Sequence, residues 1–194
     1  VIDIISSACD FIINDLTHTK FDNGVCISYT PLWPDLCFNA SLLATEALAI
    51  NYKVNHIIKH REISLESIKW VVSHQSPDGK WNYSINMKTQ KQREQIDFHQ
   101  GYVLEAIKRI CDFSNIDIKS YDTQIKSGLA FYRKNQFSHE GVSFWRLPKK
   151  WPVDIHNQSQ GIITFSIFKD HNPSYLDFSE KIARWTIENM QDKK

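Results

Sequence analysis

The sequence has no excess of one charge, few cysteines and no long apolar run, and each absence excludes a class of protein. Its 194 residues carry 23 Lys and Arg against 22 Asp and Glu, which gives a net charge of +1. A strong positive excess is typical of proteins that bind nucleic acid or anionic lipid, so neither partner is predicted. No apolar run approaches the roughly 20 residues that cross a bilayer, and no membrane span is predicted.

Cysteine spacing gives no indication of a metal site. The four cysteines are Cys9, Cys26, Cys37 and Cys111, and no two of them form a C-x-x-C pair. Three lie in or beside apolar stretches, which is typical of buried, reduced thiols. We therefore expect no metal, no cofactor and a cytoplasmic location.

A repeated pattern organises the chain, in which an apolar helix headed by an aromatic residue is followed by Gln, then Gly and another aromatic. The clearest copy starts at Trp70 and continues with Gln75, Gly79 and Trp81. The leading aromatics of the four copies are Phe11, Trp70, Phe131 and Trp185. Self-similarity at a fixed period indicates stacked supersecondary units, here helical hairpins.

Apolar spacing and helix start signals predict two sets of helices. The first helix of each hairpin is predicted at about 1–17, 64–75, 119–135 and 174–190. The second helices, at 39–50, 97–110 and 154–168, are apolar around most of their circumference and are expected to form an inner layer. The polar segment 84–96 is expected to be an excursion or a mobile loop.

These elements predict an all-α fold in a single domain over 1–194, with about three and a half hairpins in two concentric layers. The first residue is Val1, and the last repeat stops before its Gly and aromatic. We therefore expect an incomplete ring, which forms part of a longer protein.

Asp97 and Asp154 are predicted to cap the second and third inner helices, because an Asp at the N-cap accepts hydrogen bonds from free backbone N–H groups. Gln100 is predicted to complete a capping box with Asp97. His99 and His156 each follow their Asp by two residues, so the sequence predicts matched positions for them in consecutive repeats.

The segment around Gln75, Gly79 and Trp81 resembles the QW repeat of squalene and other triterpene cyclases. The two helical layers resemble the α/α toroid shared by terpenoid cyclases, protein prenyltransferase β subunits and several carbohydrate-active enzymes. The acidic strings of isoprenoid chemistry, D-x-D-D and D-D-x-x-D, do not occur. The resemblance to isoprenoid enzymes is therefore one of fold.

A second resemblance indicates sugars. Segment 151–160 reads WPVDIHNQSQ. It is similar to a W/Y-P-x-D-I-H-x-x-x-Q string of bacterial toroid proteins associated with cell-surface polysaccharide and lipopolysaccharide synthesis. The related architecture of uronosyl epimerases and polysaccharide lyases implies an acidic sugar as the ligand.

Inner helices of a toroid run in parallel, so the residues that precede them are expected to line one depression. This set of aromatic, amide and charged side chains comprises Trp33, Asp35, Asn39, Trp81, Tyr83, Asp97, His99, Gln100, Trp145, Arg146, Trp151, Asp154, His156, Asn157 and Gln160. Such a mixture binds sugars by stacking and directional hydrogen bonds, and helix N-termini favour carboxylate or phosphate.

The residues leave the activity open between an enzyme and a binding protein. As an enzyme, the chain would use His99 and His156 for proton transfer at C5 of a uronate, with Arg146 holding the carboxylate. The alternative is packing histidines in a non-catalytic scaffold or carbohydrate-binding module, with exposed hairpin faces that contact a protein partner. A third possibility, isoprenoid binding, requires an apolar central cavity.

Overall fold

The computed structural model describes residues 2–192, and its main elements are helices. They are α1 (Ile2–Asn14), α2 (Phe38–Asn55), α3 (Ile58–Ser73), α4 (His99–Phe113), α5 (Asp122–Asn135), α6 (Ile155–Ile167) and α7 (Ser174–Met190). A 3-10 turn at Ile118–Tyr121 precedes α5. In the part of the chain that the structure describes, no helix is long and apolar enough to cross a membrane.

The helices form two layers, as predicted. Helix α2 packs against α1, α3 and α4, and α4 continues the inner layer to α6, while α7 covers α6. Leu42, Leu48 and Ala49 of α2 are fully buried, which accounts for the apolar character of this helix on most sides. The fold is the all-α, α/α-toroid arrangement of inner and outer helices.

One outer helix begins earlier than its apolar pattern indicates. Helix α3 starts at Ile58 rather than near residue 64. Its first turns bury polar side chains, so apolar spacing could not reveal them. His60 pairs with Asn51 (Nδ1···Nδ2 3.1 Å), and the Ser64 hydroxyl donates to the Thr45 carbonyl oxygen at 2.8 Å. These buried polar contacts interrupt the apolar periodicity on which the prediction rested.

Short strands, which the helical prediction missed, tie the hairpins together. Strands β1 (His18–Phe21) and β2 (Gly24–Ile27) form an antiparallel hairpin. Strands β3 (Leu36–Cys37), β4 (Ser84–Ile85) and β5 (Gln92–Arg93) form a small antiparallel sheet. Segment 84–96 is therefore largely a β-hairpin, and it joins the start of α2 to the loop before α4.

The Gln-Gly-Trp pattern has a structural role. The Gln75 amide donates to the Gly79 and Gln124 carbonyl oxygens at 3.0 and 2.9 Å, which links one hairpin to the next. Trp81 is buried, and its indole N–H donates to the Val71 carbonyl oxygen at 2.9 Å. A platform role for Trp81 toward a sugar is excluded by this burial.

Candidate site at the inner-helix N-termini

A continuous cluster of rings joins the N-terminal ends of α4 and α6. The rings of Tyr83 and His99 meet edge to face with centroids 4.8 Å apart. Phe98 stacks on His99 at 4.3 Å and on His156 at 4.0 Å. The backbone N–H of Phe38, at the start of α2, donates to the Tyr83 carbonyl oxygen at 3.2 Å. The predicted gathering of inner-helix N-termini is confirmed.

Asp97 holds His99 in one orientation. A carboxylate oxygen of Asp97 pairs with Nδ1 of His99, and the backbone N–H of His99 donates to the same oxygen at 3.3 Å. No hydrogen bond within residues 2–192 involves Nε2 of His99. In the neutral form of this ring, with Nδ1–H donating to a carboxylate, Nε2 carries the free lone pair.

Asp97 is charged despite being buried. Burial raises the pKa of this carboxyl, but the hydrogen bonds and charge of His99, with a bond from the Gln95 amide (3.1 Å), outweigh it and lower the pKa below its usual value. Nε of Arg146 donates to the other carboxylate oxygen at 3.2 Å. The Arg146 side chain is 42% exposed, so its guanidinium is partly accessible to a ligand.

His156 is held by a different partner. Its Nε2 lies 2.5 Å from the Tyr102 hydroxyl. Burial, with the nearby Glu105, raises the pKa of Tyr102, so the phenol stays protonated and can donate to Nε2. In that tautomer Nδ1 of His156 bears the proton. Asp154 caps α6 as predicted, accepting from the His156 backbone N–H at 2.9 Å.

The predicted matching of the two histidines is wrong by one position. Gln100 and Gln158 make the same contacts in consecutive repeats. Gln100 accepts from the Trp81 N–H (3.0 Å) and donates to the Gly79 carbonyl (3.0 Å). Gln158 accepts from Ser143 (2.6 Å) and donates to Gly141 (3.3 Å).

Aligning these glutamines makes His156 equivalent to Phe98 rather than to His99. Equivalent positions on neighbouring parallel helices are adjacent in space, which is why these two rings stack. The capping box is also wrong: α4 begins at His99 after Phe98, and the Gln100 side chain bonds to loop backbone instead of Asp97.

Phe98 separates the two imidazoles. Both stack on its ring, with interplanar angles of 29° for His99 and 12° for His156, and among the ring contacts of residues 2–192 none joins the two imidazoles. The imidazoles therefore occupy opposite faces of Phe98. A sugar cannot lie between the histidines while this ring is in place.

Aromatic and cationic side chains border the cluster. On one side the Arg93 guanidinium lies 5.1 Å from the Tyr83 ring centre, and burial raises the pKa of Tyr83 to about 12. On the other side Arg146 and Lys149 lie over Trp145, at 5.4 and 5.8 Å. Trp33 and Trp151 are the most exposed aromatics of the predicted set, at 72% and 69%.

Several predicted ligand-binding residues are instead buried within the protein. Besides Trp81 and Gln100, Asn157 donates to the Trp145 carbonyl oxygen at 3.0 Å, and it is 3% exposed. Gln160, also 3% exposed, donates to Glu105 Oε2 at 2.7 Å. These amides hydrogen-bond to other groups of the same chain. They therefore position the loops and helices of the site and do not face a ligand.

A polar stripe that was not predicted runs along α4 and is formed by His99, Tyr102, Glu105 and Arg109. Arg109 pairs with Glu105 at 2.5 Å and with Glu46 of α2 at 3.5 Å. Burial raises the pKa of Glu46, an effect that Arg109 opposes. Polar residues every three to four positions on an otherwise apolar inner helix were the available signal.

No group of three or more His, Cys, Asp or Glu side chains suited to a metal ion occurs in residues 2–192.

Comparisons by sequence find no relative: no protein-family model matches the chain, and no curated protein matches it. Solved structures do match. Cellobiose 2-epimerase from Bacillus thermoamylovorans B4167 aligns with a TM-score of 0.81 at 12% identity, over 100% of this chain and 55% of that one. A D-mannose isomerase aligns with a TM-score of 0.72 at 14% identity, over 94% of this chain and 49% of that one.

A family 76 α-mannanase from Bacteroides thetaiotaomicron aligns with a TM-score of 0.73 at 8% identity, over 98% of this chain and 61% of that one. The chain thus spans about half of the first two proteins and a larger share of the third. These structures do not confirm the likeness to the QW repeats of terpenoid cyclases. At such identities the similarity shows the fold alone, which is the α/α toroid.

Proposed function

We propose that this chain is part of a protein that binds or modifies an acidic sugar in bacterial cell-surface polysaccharide or lipopolysaccharide metabolism, in the cytoplasm. The observation that carries the proposal is the pair of differently held histidines beside Arg146 at the inner-helix N-termini. Structures of the same fold named as an epimerase, an isomerase and a mannanase support a carbohydrate ligand.

The hydrogen-bond partners support opposite proton-transfer roles for the two histidines. Asp97 accepts from Nδ1 of His99 and leaves Nε2 as the base. The Tyr102 hydroxyl can donate to Nε2 of His156, and in that tautomer Nδ1–H of His156 is the acid. One base and one acid at the same site are what proton removal and return at one carbon require.

At a uronate the reacting bond is C5–H, next to the carboxylate. Nε2 of His99 takes the C5 proton, and the electron pair moves into the carboxylate group, whose added charge the Arg146 guanidinium stabilises. In an epimerase, Nδ1–H of His156 returns a proton to the opposite face of C5, which requires the Phe98 ring to turn out from between the two imidazoles. In a lyase, the electron pair instead forms the C4–C5 double bond, and His156 protonates the departing C4 oxygen.

The first test is a thermal-shift screen with galacturonate, glucuronate, oligogalacturonates, neutral glycans and polyprenyl phosphates. A ligand that binds only the native state raises its melting temperature. A shift with the acidic sugars is expected. A shift with polyprenyl phosphates alone would instead indicate the isoprenoid reading, which the polar stripe of Glu105 and Arg109 on α4 does not favour.

Proton transfer is tested by NMR in D₂O, as deuterium incorporation at C5 of oligogalacturonate. We expect His99→Ala and His156→Ala each to lower the exchange rate about 100-fold or more, because each removes one proton-transfer group. His139→Ala, at an exposed loop position, is the matched control. Exchange that persists in both site variants would contradict the assigned roles, and unfolding of both would indicate packing histidines.

The second candidate function is a non-catalytic scaffold or carbohydrate-binding module. It is favoured by the apolar face of α1, where Ile4 and Phe11 are 73% and 47% exposed and could meet a protein partner. Saturable binding of an acidic glycan without C5 exchange or product is the result that distinguishes this candidate from the enzyme.

A further inference from the structure

A second depression lies beside the histidine cluster, at the end of the molecule that carries the inner-helix N-termini. It has a volume of about 530 Å³. Its lining comes from the loop before β3, which supplies Trp33, Pro34 and Asp35, and from the β4–β5 hairpin, which supplies 84–88 and Arg93. The sequence predicts Trp33 in the main site, whereas the structure places it in the lining of this depression.

The depression adjoins the cluster at Tyr83. Arg93 lines the depression and also lies 5.1 Å from the centre of the Tyr83 ring. The Tyr83 ring also contacts the His99 ring edge to face, with the ring centroids 4.8 Å apart. One aromatic side chain therefore separates the depression from the proposed base.

The side chains of the depression suit a carboxylated sugar. Trp33 offers an indole that is 72% exposed for stacking against a pyranose. Arg93 and Lys88 make no ion pair within residues 2–192, and the Arg93 guanidinium donates only to the neutral Gln95 amide, at 3.1 Å. Asp35 also lines the depression, but its Oδ1 accepts from the Tyr29 backbone N–H at 2.8 Å. The net charge of the lining is positive.

We propose that this depression is a second saccharide subsite, which binds the unit next to the one held at His99 and His156. The inference rests on the proposed function and names its substrate class: an acidic oligosaccharide or polysaccharide chain, rather than a single sugar or a nucleotide sugar. Trp33 stacks on the neighbouring ring, and Arg93 with Lys88 binds its carboxylate.

The test is isothermal titration with mono-, di-, tri- and tetragalacturonate, comparing the ratio of oligomer to monomer affinity. The wild-type chain is expected to bind digalacturonate, which fills both subsites, about 100-fold more tightly than galacturonate, which corresponds to two tenfold gains from stacking and charge. Trp33→Ala and Arg93→Gln are each expected to lower this ratio about tenfold. Leu32→Ala changes an exposed neighbour outside the lining and should keep the wild-type ratio.

The outcomes separate this inference from the proposed function. Binding of galacturonate with no gain on lengthening, or a gain that both variants retain, overturns the second subsite and leaves the proposed function standing. An equal gain with cello-oligosaccharides overturns the role of Arg93 and Lys88 in recognising charge. No binding of any galacturonate overturns both proposals.

Discussion

Asp97 is the residue on which the candidate site most depends, since one buried carboxylate contacts His99, Gln95 and Arg146. Its lowered folded-state pKa means that the native state binds fewer protons than the unfolded chain, where an Asp titrates near about 3.9. The stability it contributes is therefore present above that pH, and it is lost as the pH falls through the folded-state pKa.

Asp97→Asn is expected to lower the free energy of unfolding by about 1–3 kcal/mol at neutral pH, because charged hydrogen bonds are replaced by neutral ones. The variant should also lose less stability than the wild type between about pH 4 and pH 2. Urea denaturation across this range measures both effects. Asp112→Asn, at an exposed ion pair with Lys108, should change stability by less than about 0.5 kcal/mol; equal effects of the two substitutions would contradict the role of Asp97.

Tyr102 is a positioning residue that the sequence did not reveal, since its partner lies 54 positions away. Tyr102→Phe removes the hydroxyl that fixes the tautomer of His156. We expect C5 deuterium exchange to fall about 10- to 100-fold, with ligand affinity nearly unchanged. Tyr52→Phe on α2 is the control. A loss of affinity equal to the loss of exchange would make Tyr102 a binding residue.

Sequence reasoning at the residue scale located the histidines but not their relation. Counting from Asp97 and Asp154 placed His99 opposite His156. An Asp near a helix start gives the same sequence signal whether the helix begins one residue after it or two. The true register follows from Gln100 and Gln158, whose contacts with loop backbone are visible only in three dimensions.

At the scale of elements, the Gln75–Gly79 turn fixes how hairpins stack. Gly79 has a φ of +95°, and a Cβ there would lie 2.2 Å from the Ser127 carbonyl oxygen of α5. Gly79→Ala is expected to cost about 3 kcal/mol or more, because backbone strain and a clash with backbone add. Chemical denaturation measures the cost. Ala130→Gly, at an exposed position of the same helix α5, should cost only about 1 kcal/mol, and a smaller cost for Gly79→Ala would show that the hairpins can shift apart.

Helices were more predictable than strands in this chain. Helix α7 spans the residues that its apolar spacing predicts, 174–190. Strands β1 and β2 are four residues each and are joined by the two-residue turn Asp22–Asn23, a short polar connection that the helical prediction missed. The two-residue strands β3, β4 and β5 depend on pairing between distant segments, so no local pattern could identify them.

At the scale of the whole molecule, the net charge of +1 conceals an uneven distribution. Arg93 and Lys88 lie at one side of the histidine cluster, and Arg146 and Lys149 lie at the other. Composition therefore excluded a large positive charge over the whole surface. It could not show that cations are concentrated around the histidine cluster. A carboxylated chain that crosses the cluster would meet positive charge at both ends.

Binding of acidic oligosaccharides should consequently weaken with salt, while the fold should not. Raising NaCl from about 50 mM to about 500 mM shortens the screening length from about 14 to about 4 Å, and trigalacturonate affinity is expected to fall about tenfold or more. The urea midpoint should change little, because the stability of the toroid comes mainly from buried apolar side chains. Titration and denaturation in the same buffers give both quantities. Affinity that is independent of salt would mean that stacking on Trp33 and Trp145, rather than charge, selects the ligand.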